Sequence, residues 1–164
     1  MLIFPDVQSS IYKLLIVACM WLSCNSHAGT FTGDVVGVAD GDTITVLDAD
    51  KVQHKIRLAE IDAPEKAQPF GNRSKQALNE LVHGKVVRVV EHGHDKYKRT
   101  IGRVYQGDVD VNAEQVKQGL AWVYRKYSKD ATLSPLENEA KAQRLGLWAD
   151  AEPVPPWTWR HSRH

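Results

Sequence analysis

Three acidic side chains and two arginines stand out for the chemistry their spacing permits. Asp42 closes an Asp40-Gly41-Asp42-Thr43 run, and Asp62 and Glu65 lie in Ile61-Asp62-Ala63-Pro64-Glu65. If Asp42 and Asp62 meet at one end of neighbouring strands, their charges repel each other unless a cation lies between them. A hard cation with oxygen ligands relieves that repulsion, and calcium accepts a loose set of carboxylates, carbonyls and waters. Arg57, and Arg99 in Asp95-Lys96-Tyr97-Lys98-Arg99, carry planar forks of N–H donors suited to phosphoryl or carboxylate oxygens. Each piece alone has a plainer reading. Asp-Gly-Asp is more often a turn than a metal site, a single glutamate is most often solvated, and a basic loop is commonly a solvated surface.

The elements needed to bring these residues together are readable from periodicity. Thr32 to Ala39, Asp42 to Leu47 and Val52 to Ile61 alternate as three strands, separated by Asp40-Gly41 and Asp48-Ala49-Asp50. Along the third, Val52, Ile56 and Leu58 share one face, with Lys55 and Arg57 on the other. A helix follows from about Gly71 to His83, with Ala77, Leu78, Leu81 and Val82 as its apolar stripe and Gly84 as its stop. Val86 to Glu91 and Ile101 to Tyr105 read as fourth and fifth strands joined by a charged loop. A second helix opens at Val111, where Asn112 is expected to cap and Gln115 to bond back. Gly119 stops it. A third begins at Ser134-Pro135 and ends at Gly146. Residues 151–164, containing Pro153, Trp157 and Trp159, are expected to form a loosely packed tail. Five strands, with a helix between the third and fourth and helices after, predict an α+β domain over 29–150: a five-stranded OB-fold barrel with three helices.

With those motifs in that order, the sequence resembles the thermonuclease family, also called staphylococcal-type or micrococcal nucleases. The resemblance runs from about Gly33 to Trp148 and takes in Val111-Asn112, Gly119-Leu120-Ala121 and Gly146-Leu147-Trp148. It implies a calcium-dependent, sugar-nonspecific endonuclease that cuts DNA and RNA and leaves 3′-phosphate and 5′-hydroxyl ends. It further implies that Asp42, Asp62 and the backbone carbonyl of Ala63 hold the calcium, with Glu65 reaching it through water. Glu65 would orient or deprotonate the attacking water, while Arg57 and Arg99 clamp the phosphoryl oxygens. Lys96 and Tyr97 would meet a terminal phosphate, and Tyr124 or Tyr127 would offer a base an aromatic face. Two departures from the family pattern stand out. Ala63 replaces a common threonine, which a backbone ligand tolerates. Lys98 replaces a usual glycine, which strains any turn that needs a positive φ there. The competing reading is a catalytically inactive nucleic-acid-binding module on the same fold; retention of all five acidic and basic positions argues against it.

Composition sets the remaining bounds. The chain has 164 residues, 43% of them hydrophobic, and a net charge of only +1, so any grip on a polyanion must be local. Lys13, the apolar run Leu14 to Leu22 and Ser26-His27-Ala28 have the three parts of a secretory signal peptide over residues 1–28, with Gly29 as the new N-terminus. Both cysteines, Cys19 and Cys24, fall inside it, so the mature chain has no disulfide and no thiolate ligand. The histidines lack helical metal-binding spacing, and His92-Gly93-His94 reads as a solvated loop. The expectation is a monomer, secreted or periplasmic, with no stable membrane association after cleavage.

Overall fold

The computed structural model describes residues 29–162. The signal-peptide assignment lies outside these residues. Among them, no helix is long and apolar enough to cross a membrane.

Five strands carry the barrel: β1 (Thr30–Val38), β2 (Thr43–Leu47), β3 (Gln53–Leu58), β5 (Val86–His94) and β6 (Thr100–Gln106), with the short β4 (Ile61–Asp62) set off after β3. Antiparallel ladders join β3 to β2, β2 to β1, β1 to β5 and β5 to β6. Parallel pairing of β3 with β6, with Arg57 opposite Ile101, closes the barrel. The order β1-β2-β3-β6-β5 and back to β1 is that of an OB-fold. Bulges at Val35/Gly37 and Glu91/Gly93 supply the bending that closure requires. Inward residues from every strand meet in one core: Val35, Ile44, Val46, Ile56, Leu58, Val87, Val89 and Val104 are all 1% exposed or less. Alternation along each strand places the apolar set inside, so register and burial fix each other.

Helix α1 (Gly71–Val82) covers the barrel through Gly71, Ser74, Leu78 and Val82. The buried stripe is thus shifted from the expected one: Ala77 and Leu81 are only partly buried, and Ser74 is fully buried. After β7 (Val109–Asp110) come α2 (Val111–Lys117), β8 (Trp122–Val123), α3 (Leu133–Ala142) and a 3₁₀ turn at Gly146–Ala149. The cap of α2 is Asp110, whose side chain accepts from the Ala113 N–H. Asn112, the expected cap, is instead buried; it accepts from Val104 N and donates to the carbonyls of Ala59 and Gly102. An amide satisfied on both sides in this way ties α2 to β6 and to the turn just after β3. The third helix starts a residue earlier than expected and ends at Ala142, while Gly146, at φ +52, opens the 3₁₀ turn.

The expected loose tail is also corrected. Pro156–His161 forms a fourth helix, α4, with Pro156 in its first turn. It is held down by Gln68 Nε2 donating to the Val154 carbonyl at 2.6 Å. The Trp157 ring lies parallel to Tyr124, 4° between planes and 5.3 Å between centroids, and edge-on to Trp122. Aromatic area and a Pro-fixed entry angle are enough to seat so short a helix, which would not persist alone in water.

Candidate active site

The acidic pair is positioned by backbone. Asp42 sits where β1 turns into β2, and its carbonyl accepts from Leu58 N on β3. The Gly41 carbonyl accepts from Gln115 Nε2 on α2. A Cβ at Gly41 would collide with the Ser74 hydroxyl of α1, so only glycine lets this turn approach the helix. Asp62 lies on β4, which pairs with β8 opposite Trp122. Both carboxylates are buried, Asp42 at 6% exposed and Asp62 at 1%. Arg57 bridges them, with Nη1 3.1 Å from Asp42 Oδ2 and Nη2 2.8 Å from Asp62 Oδ1. Its Nη1 also donates to the carbonyls of Leu58 and Ile61, which fixes the plane of the guanidinium.

Asp42 Oδ2 accepts from Ala63 N at 2.7 Å and Oδ1 from the Thr43 hydroxyl at 3.0 Å. Burial nevertheless pushes its carboxyl up to about 7, against the opposing pull of Arg57 and with Asp40 and Asp62 adding repulsion. Glu65 follows Pro64 on the rim; Arg160 of α4 reaches across to it, Nη1 2.7 Å from Glu65 Oε1. The same guanidinium holds Asp62, with Nη2 2.7 Å from Oδ2 and Nη1 3.3 Å from Oδ1.

A cleft of about 720 Å³ opens over this group. Asp42, Arg57, Asp62, Ala63, Glu65, Lys96, Tyr97, Arg99, Tyr124 and Tyr127 all line it, so the structure brings together every residue singled out from the sequence, with Arg160 added. Arg99 stands in the β5–β6 loop, where Asp95 accepts from Tyr97 N and Arg99 N with Oδ1 and from Arg99 Nε with Oδ2. Lys98 takes φ +62, the left-handed conformation that its replacement of a glycine anticipates. The loop closes all the same through Lys98 N to Asp95 O and Asp95 N to Arg99 O, both 3.0 Å. Lys96 and Tyr97 are exposed, with Lys96 Nζ 5.0 Å from the centre of the Tyr97 ring. Tyr124 is pinned between the edge of Tyr127 and the face of Trp157, while Tyr127 is 59% exposed.

Sequence reasoning missed Arg160 and Ser74, and expected Asn112 and Gln115 to cap a helix where they instead brace the core beneath the site. Pro155-Pro156 ahead of Trp157 was a legible helix-start signal; the long-range bonds had none. Among the described residues, no group of three or more His, Cys, Asp or Glu side chains gathers as a metal cage. What the cleft offers is two buried carboxylates with guanidinium groups set among them.

Fold and cleft together place the protein among the OB-fold nucleases. Residues 55–150 match the family described as staphylococcal nuclease homologue, and the chain belongs to that family. It is 50% identical over 132 residues to an uncharacterized endonuclease of Escherichia coli, covering 80% of this chain and 86% of the relative. A micrococcal nuclease of Shigella flexneri is 44% identical over 143 residues, or 80% of this chain and 82% of that one. The similarity reaches a staphylococcal-like nuclease of Arabidopsis thaliana, 40% identical over 109 residues, 66% of this chain and 34% of the plant protein. The protein is a nuclease, and nucleic acid is its substrate.

Proposed function

We propose that the protein is an exported, calcium-dependent and sugar-nonspecific endonuclease that hydrolyses DNA and RNA to 3′-phosphate and 5′-hydroxyl ends. The observation carrying this reading is the buried Asp42–Arg57–Asp62 bridge at the floor of a cleft that also holds Glu65 and Arg99. The donor chemistry fits a hard cation. All the acidic groups are oxygen donors, and burial makes a bare Asp42 carboxylate so costly that its carboxyl rises to about 7. Two buried acidic side chains joined by one guanidinium offer a divalent ion the oxygen ligands it prefers.

Asp42, Asp62 and the carbonyl of Ala63 are the groups to hold calcium, with Glu65 on the water side. When bound, the ion would supply positive charge at the phosphoryl group and make water more acidic. The remaining chemistry belongs to the chain itself. Glu65 orients the attacking water and accepts its proton. Arg57, fixed by two carbonyls, and Arg99, held by Asp95 through Nε, present N–H donors to the phosphoryl oxygens as charge builds on them. Lys96 and Tyr97 meet a flanking phosphate at the exposed rim. Tyr127 offers a base the more accessible ring, since Tyr124 already packs between two others. None of these contacts reads a base edge or a sugar hydroxyl, which suits a lack of sugar preference.

Digestion of single- and double-stranded DNA and RNA with calcium, magnesium or chelator tests the proposal. All four substrates should be cut in calcium, poorly in magnesium and not in chelator, and the products should accept phosphate at their 5′ ends without prior dephosphorylation. Equal rates in magnesium, or cutting in excess chelator, would remove calcium from the assignment.

A further inference from the structure

The second arginine on the acidic group comes from the far end of the chain. Arg160 engages both oxygens of Asp62 and Oε1 of Glu65, bridging the two carboxylates. These are two of the side chains assigned to the cation, one directly and one through water. We propose that Arg160 is a positioning residue that stands in for the cation: it holds Asp62 and Glu65 in place when calcium is low and competes with calcium for them, so the C-terminal helix sets the calcium level at which the enzyme turns on. This rests on the calcium reading above.

Geometry separates Arg160 from Arg57, which shares Asp62 with it but pairs otherwise with Asp42. Arg57 is anchored by the Leu58 and Ile61 carbonyls and its side chain is 15% exposed, so it stays when the acids acquire a new partner. The Arg160 side chain is 41% exposed, and the partners it holds are the two acids. It is free to swing into solvent on its long stem. The helix beneath it has its own anchors in the Trp157–Tyr124 stack and the Gln68–Val154 bond, so the guanidinium remains close at hand after release. Tethering of this kind gives the competing charge a high effective concentration without an added ligand. Like-charge repulsion completes the argument, because a divalent ion and a guanidinium cannot both lie against Asp62 and Glu65 without mutual cost.

Calcium titration of the full mature chain by calorimetry, with wild type, Arg160→Gln, Arg160→Lys and Asp62→Asn, tests this. Losing the charge-assisted bonds that calcium must displace should tighten calcium binding by about tenfold in Arg160→Gln. Arg160→Lys, which keeps the charge but not the fork, should fall between. Melting in chelator guards against a merely structural role: Arg160→Gln should melt below wild type without calcium yet gain more from saturating calcium. Tighter binding in Arg160→Gln, including the case where wild type shows none, supports the proposal. Equal or weaker binding in Arg160→Gln, with wild type binding and Asp62→Asn not, overturns it and leaves the calcium assignment standing. Absence of binding in wild type and Arg160→Gln alike overturns both.

Discussion

On the function proposed, replacing Glu65 should separate cutting from holding, and replacing Arg99 should test the phosphoryl clamp. Glu65→Gln keeps size and hydrogen bonding but loses the ability to take a proton from water. Arg99→Ala removes donors that act on transition-state charge. In saturating calcium, each should lower kcat on a short oligonucleotide by about 10²-fold, a size typical for lost acid–base or electrostatic stabilisation. Oligonucleotide affinity should change little for Glu65→Gln, since an acid adds nothing to the grip on a polyanion. Wild-type turnover by Glu65→Gln would end its assignment. Asp42 carries a pH consequence. In the fold its carboxyl is raised from 3.8 to about 7 by burial, with Arg57 opposing. Between those values the folded chain keeps a proton that the unfolded chain has lost. This contribution to stability is therefore complete below about pH 4 and is lost as pH rises through about 7. On the calcium reading proposed, the ion takes the ionised form, so its binding at about pH 6 should release a proton and its affinity should climb with pH before levelling off above about 7. Calorimetry at that pH in buffers of different ionisation heat measures the release; identical heats would show that Asp42 is already ionised.

At the scale of elements, the β5–β6 loop shows a local rule broken and offset. Lys98 at φ +62 costs about 1 kcal/mol relative to glycine there, while Asp95 repays the turn with bonds to Tyr97, Lys98 and Arg99. Lys98→Gly should relieve the strain, less the greater freedom glycine has when unfolded, and raise stability by about 0.5 kcal/mol. Thermal unfolding in chelator reads this directly, and a lower melting temperature would show that the lysine stem itself contributes. The strain was legible in the sequence because it rests on one residue and one local turn. So were the strand alternation, the glycine at 119 and the acidic runs, each set by near neighbours. The role of Asn112 was not. Read locally it is a helix cap, but Asp110 takes that place and Asn112 is drawn inward by N–H and carbonyl groups on β6 and beside β3. Arg160 escaped for the same reason: its partners are 95 and 98 residues away in sequence, and no periodicity reports such a distance.

At the scale of the whole molecule, several contacts that frame the cleft join residues far apart in sequence. The floor is framed by Gln115 reaching Gly41, Ser74 reaching Leu120, β8 pairing with β4, and Arg160 reaching Asp62. Such separations make closure slow, because the ends of each long loop must be found before the contact repays them. They also impose an order in time. A chain emerging N-terminus first from synthesis presents both acids and Arg57 early, while the strand that aligns Asp62 and, later still, the helix that carries Arg160 follow. A half-made chain therefore holds both acids and Arg57 before β8, which pairs with the strand of Asp62, has been made. Connectivity of this kind makes the cleft a late product of folding, framed only after most of the barrel has been made.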